Sequence, residues 1–363
     1  MTLIFTVILV ALVFEYVNGF HDTANSIATV VSTKVLTPRQ AVVLAAVTNL
    51  LGALWGTAVA KTVASGLVDA RVVTSEVIIC ALLGGILWNL ITWWVGLPSS
   101  SSHALVGGLC GGCLAAARND WSVIVWSLPA KDHWWNGKGV LWKVIVPMIT
   151  SPICGFIVGV LVMSFLYFLL RGWRPVTVNR TFGKLQLFSS AYMGFSHGTN
   201  DAQKTMGIIA LALMTATSAG KFDHLPAFLG FLKTPEPAAG HSLGIAVWIK
   251  VMCAMTMAAG TAAGGWRIIK TLGHKMVKLH PVHGFAAETT GATVLLATAT
   301  LGMPVSTTHA ITTSIMGVGC AKGLNALKLG VVEKIIWTWV LTIPASGLIA
   351  YLLVRGGRAL GFL

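Results

Sequence analysis

An α-helix needs about 20 consecutive apolar residues to cross the hydrocarbon core of a bilayer, and this chain supplies one such stretch after another. Apolar runs lie at roughly 2–32, 40–60, 76–97, 140–170, 185–217, 242–265, 284–301 and 331–354. Only 10% of the residues are charged and 55% are hydrophobic, whereas a soluble domain carries about a quarter charged residues. In lipid every backbone polar group needs a partner within the protein, and runs of this length meet that need as helices. The fold class is therefore an all-α polytopic membrane protein, expected in the cell membrane. The 39 glycines suit helices that approach closely in lipid. Residues 1–17 carry no basic leader and no small-residue cleavage site, so they read as a first membrane helix rather than a removable signal.

The net charge of +14 would suggest nucleic acid in a soluble chain. Here the cations fall in short loops, where topology accounts for them, and no nucleic-acid partner is expected. The segments 171–184 and 266–280 hold several Lys and Arg and no acid, which places both in the cytoplasm. Cys110 and Cys113 form a CxxC within GLCGGCLAAA, but no second pair or His cluster accompanies it. Packing is the reading for all six cysteines.

Two motifs occur twice. NGFHDTANS (18–26) pairs with HGTNDAQKT (197–205) at an offset of 201 − 22 = 179. Gly19 then aligns with Gly198, His21 with Asn200, Asp22 with Asp201, and Asn25 with Lys204. LPSSSSHAL (97–105) pairs with MPVSTTHAI (303–311) at an offset of 304 − 98 = 206. Each half thus runs in one order: an Asp-motif helix, further helices, a hydroxyl-rich segment (98–118 or 304–321), and a closing helix. The division is 1–170 as the N-terminal repeat, 171–184 as a cytoplasmic linker, and 185–363 as the C-terminal repeat. Duplicated halves interrupted at matching positions point to a transporter with a midplane site.

An acid within a membrane span is costly unless it meets water or a partner, so Asp22 and Asp201 are candidates to bind a cation or a proton. Asn25, Asn200 and freed backbone carbonyls could complete an oxygen shell, with Gly19 and Gly198 as the points where the helices open. His21 is a residue type that exchanges protons near cellular pH; its alternative role is to orient Asp22. Glu288, in AAETTGA, is a further intramembrane acid on the ion path. In PSSSSH and PVSTTH, Pro followed by hydroxyl residues suits a helix N-terminus, whose free N–H groups attract anions. Ser101, Ser102, Thr307 and Thr308 could hold a tetrahedral oxyanion between two such ends. His103 and His309 either bond the adjoining backbone or reach the solute. Lys204 is read as the partner of Asp201, with anion contact as the alternative; Glu15 is read as structural and Lys250 as snorkelling to an interface.

NGFHDTANS, LPSSSSHALVG, FSHGTNDAQKTMG and GMPVSTTHA together resemble the signatures of the inorganic phosphate transporter (PiT) family, in order, from about residue 15 to 345. His21 stands where sodium-coupled members commonly carry Asn, and FHDTAN is similar to the bacterial low-affinity Pit type. The resemblance implies a bacterial inner-membrane symporter that takes up inorganic phosphate with protons, in some members as a divalent-metal phosphate. It also implies inverted repeats, each with a broken Asp-motif helix and a re-entrant Ser/Thr hairpin. Phosphate would sit at Ser101, Ser102, Thr307 and Thr308. Coupling ions would sit near Asp22, Asn25, Asn200 and Asp201, with His21 and Glu288. No cofactor is implied beyond the coupling ion, proton or sodium, and no metal ligands are assigned. Sodium coupling, sulfate as the solute and a homo-oligomeric state stay open. An enzyme is not expected, since HExxH, GxSxG and Walker A sequences are absent.

Overall fold

The computed structural model describes residues 2–65, 67–128, 137–235 and 244–361, and among these it is helical, with isolated bridges and no strand. Two series of helices follow the repeated order of the sequence. The first is α1 (Thr2–Ser32), α2 (Pro38–Ala53), α3 (Ala58–Ser65), α4 (Ser75–Val95), α5 (Ser101–Ala116) and α6 (Val146–Leu169). The second is α7 (Pro175–Ser218), α8 (Val247–Ala263), α9 (Trp266–Lys270), α10 (Pro281–Thr300), α11 (Thr307–Cys320) and α12 (Leu329–Ala359). The all-α polytopic expectation holds, and the described part of each apolar run lies mainly on these helices; residues 242 and 243 of the run 242–265 lie outside the described residues.

The interruptions are real but fall elsewhere than expected. α1 and α7 pass through both Asp motifs without a break. The breaks lie in the next crossing of each series, where α2 and α3 meet at 69° and α8 and α9 at 59°. Gly56 (φ 77) and Gly264 (φ 74) occupy these breaks, in a left-handed conformation that a Cβ makes costly. Gly19 and Gly198 have a different task. A Cβ on Gly198 would lie 2.8 Å from the Asn49 Cα of α2, and one on Gly19 would strike the Met257 carbonyl of α8. They let helices touch backbone to backbone; they do not open them.

The two series interlock. α1 packs on α8 and α7 on α2, so each Asp-motif helix lies against the bent helix of the other series. Likewise α5 packs on α12 and α11 on α6. α1 and α7 themselves run antiparallel: Glu15 meets Thr205, Ser26 meets Ser190, and Thr33 meets Gln186. The expected linker 171–184 is mostly the start of α7, which begins at Pro175 and continues for 44 residues. At 1.5 Å per residue that is about 66 Å, well beyond the hydrocarbon thickness. Phe165 and Phe168 on α6 and Val340 and Leu348 on α12 are exposed, as lipid-facing side chains would be, whereas α5 and α11 are almost wholly buried.

Candidate functional site

α5 and α11 start deep inside the protein, and they start the same way. Ser100 caps α5 by accepting from the His103 N–H at 3.2 Å, and Ser306 caps α11 by accepting from the His309 N–H at 3.2 Å. The first N–H groups of each helix, at Ser101, Ser102, Thr307 and Thr308, have no acceptor within their own helix. The two ends meet: Ser102 donates to the Val305 carbonyl at 3.3 Å, and the His103 and His309 rings lie 4.8 Å apart. All four predicted hydroxyl residues are at most 4% exposed. Two positive helix ends thus converge on one buried spot, with hydroxyl groups around it.

The Asp-motif helices close this spot from the side, and each reaches into the other series. Asn25 on α1 donates to Thr307 at 3.2 Å and to Thr308 at 3.0 Å. Its counterpart, Lys204 on α7, donates to Ser102, to Asp201 and, at 2.9 Å, to the Val305 carbonyl. Thr307 in turn donates to Asp201 at 2.9 Å. Asp22, also buried, bonds His21 Nδ1 at 2.6 Å, and His21 Nε2 faces Thr92 at 3.2 Å and Ser99 at 3.3 Å. His21 therefore ties the first Asp motif to the turn between α4 and α5.

The other predicted residues are not joined to this hydrogen-bond network among the described residues. The Asn200 amide and the Ser101 hydroxyl are buried and have no hydrogen-bond partner among the described residues. The same holds for the ring nitrogens of His103 and His309, so these rings do not bond the adjoining backbone; His309 packs on Trp339 at 3.9 Å. Glu288 lies apart, held by Thr29 at 2.5 Å, Gln186 at 3.0 Å and Ser189. Thr29 follows Asn25 by one turn of α1, which links this acid to the centre. Glu15 is likewise fully buried and is held by Thr205.

Sequence reasoning missed His197, which lies 3.0 Å from Asp201 and bonds Asn49 at 3.2 Å. The signal was its place four residues before Asp201, on the same helix face. Ligand atoms of Asp22, His197 and Asp201 all fall within 4.8 Å of one another, an arrangement that could hold a cation. Lys204 already brings one positive charge to this group through Asp201.

The sequence and the fold of the chain have matches among known proteins. Residues 18–350 fit the model of a family described as "Phosphate transporter family". The chain belongs to the phosphate transporter family. A member from Bacillus subtilis (strain 168), named "Probable low-affinity inorganic phosphate transporter", is 40% identical over 360 residues, covering 97% of this chain and 98% of its own. One from Rhizobium meliloti (strain 1021), with the same name, is 42% identical over 346 residues, covering 95% of this chain and 93% of its own. A solved structure described as "The sodium-dependent phosphate transporter" shares the fold with a TM-score of 0.79 at 22% identity, covering 99% of this chain and all of the other. This phosphate transporter family member is a multi-pass membrane transporter and not an enzyme.

Proposed function

We propose that the chain takes up inorganic phosphate by symport with protons, through alternating access around the site between α5 and α11. The observation that carries this reading is the meeting of two hydroxyl-bearing helix N-termini, bridged by Asn25 from one series and Lys204 from the other. Phosphate is a mono- or dianion near neutral pH, and burying it requires compensating charge. Lys204 and the two helix ends supply that charge, and Ser101, Ser102, Thr307 and Thr308 donate to the phosphate oxygens. The hydrogen bonds that Asn25 and Lys204 make to these hydroxyls are exchanged for bonds to the solute. Asp22 and His21 form the proton-carrying pair, with Asn200 and Asp201 beside them and Glu288, on α10, reached through Thr29 of α1. Residues 1–170 and 185–363 act as inverted halves, a reading supported by the antiparallel packing of α1 on α7.

Protons are preferred over sodium because the acid of the second motif already has a fixed cation, Lys204, and the first is paired with an imidazole. The clustering of Asp22, His197 and Asp201 favours a second reading, in which sodium, or the metal of a divalent-metal phosphate, occupies that position.

The hydroxyl groups give the direct test of the phosphate site. Thr307→Val and Ser102→Ala should each raise the KM for phosphate by roughly 10- to 100-fold, the worth of a hydrogen bond to a charged group. Labelled uptake into proteoliposomes reads this. Sulfate at equal concentration should leave most uptake intact; complete displacement would remove phosphate as the preferred substrate.

A further inference from the structure

The two basic segments, 171–184 and 266–280, are about a hundred residues apart in sequence, yet their ends meet at one cleft. This cavity of about 410 Å³ opens where the end of α6, the start of α7 and the start of α10 come together. Arg171, His280 and Lys322 line it, all three are exposed, and none of its lining residues is acidic. An adjoining cleft of about 430 Å³ shares His283 and Lys322 and adds Lys278, again with no acid in its lining. Neither cavity includes any residue of the transport site.

The rest of the lining is of another character. Met163, Leu170 and Val178 give the first cleft an apolar wall, and Tyr167 and Trp173 stand at its edge. Beside it the surface is apolar and exposed: Phe168 is 76% and Val176 is 73% exposed. Tyr and Trp gather where a membrane meets water, so this edge marks the headgroup level. Clustered loop cations alone would follow from topology. Cations at the mouth of a cleft whose wall continues onto a lipid-facing helix form a composite surface, charged above and greasy below.

We infer that this cleft binds an anionic phospholipid, its phosphate among Arg171, His280 and Lys322 and an acyl chain along α6 beside Phe168. Charge complementarity selects an anionic headgroup over a zwitterionic one. The apolar wall favours a lipid over a free anion, which would gain nothing from Met163 or Leu170. Such a lipid bridges the end of α6 to the starts of α7 and α10, and so joins the two series at their covalent junction.

The test uses the purified full chain in detergent at low ionic strength. Phosphatidylglycerol should raise the melting temperature by several degrees and should be retained in native mass spectrometry, whereas phosphatidylcholine should do neither, as expected for a ligand that binds only the folded state. The double variant Arg171→Gln, Lys322→Gln changes two exposed side chains. It should melt like the wild type without lipid and keep phosphate uptake, but lose the phosphatidylglycerol shift. Equal shifts with the two lipids would overturn the inference, as would a phosphatidylglycerol preference that survives in the double variant. So would an equal shift from inorganic phosphate alone that depends on Arg171 and Lys322, because the cleft would then be a free-anion site.

Discussion

Replacing Lys204 with Met is expected to abolish phosphate uptake and to destabilise the protein by about 3–5 kcal/mol, the cost of leaving one member of a buried ion pair behind. Lys204 is 3% exposed and pairs with Asp201, which is fully buried. Its other donors go to Ser102 and to the Val305 carbonyl, at the point where the two helix ends meet. One ammonium group therefore neutralises Asp201 and supports the solute site. The two tasks separate in the double variant Lys204→Met, Asp201→Asn. Melting curves in detergent should show most of the stability restored, because no unpaired charge remains. Uptake should stay at background, because the cation proposed to face the phosphate is gone. Wild-type uptake by Lys204→Met would remove this residue from the site.

The second large effect is expected at the other motif. Asp22→Asn should reduce accumulation of phosphate to background, since the buried acid proposed to take part in proton exchange is lost. His21→Asn is more informative. Asparagine can still donate to Asp22 from the place of Nδ1, while its shorter side chain gives up the contacts that Nε2 makes with Thr92 and Ser99. This variant should keep phosphate exchange between equal pools across the membrane but no longer accumulate phosphate against a gradient. Exchange and accumulation measured on the same proteoliposomes separate the two readings. Full accumulation by His21→Asn would reduce His21 to a positioning role.

The candidate site is legible in the sequence because its motifs are written twice. Repeated Asp and hydroxyl motifs mark Asp22, Asp201, Ser102, Thr307 and Thr308; hydrogen bonds join the last four directly or through Asn25 and Lys204, while Asp22 is tied through His21 to Thr92 and Ser99. What the motifs could not convey was which helix faces which. That Asn25 serves Thr307 and Thr308, and Lys204 serves Ser102, follows from the interlocked packing of the two series. Such pairings connect residues 282 and 102 positions apart, and no local pattern encodes them. The same gap hid the partners of Glu15, which depend on the register of α1 against α7, and of Glu288, which depend on how α10 packs against both.

Glycine was the other source of error. In sequence, a glycine needed for a left-handed turn looks like a glycine needed for close approach. Gly19 and Gly198 sit beside the acids, where the sequence leads one to expect openings, yet they lie in unbroken helix against neighbouring backbone. Gly56 and Gly264, in less conspicuous surroundings, carry the positive φ angles and the bends. The expected interruption at matching positions was sound, but it belongs to the helices that pack against the Asp motifs.

The proposal that protons drive phosphate through this site has a direct test. Purified protein in proteoliposomes, with an inward proton gradient and no sodium in either compartment, should accumulate labelled phosphate above the outside concentration, and dissipating the gradient should release it. Accumulation that appears only when an inward sodium gradient is imposed would contradict that claim and place sodium at Asp22, His197 and Asp201 instead.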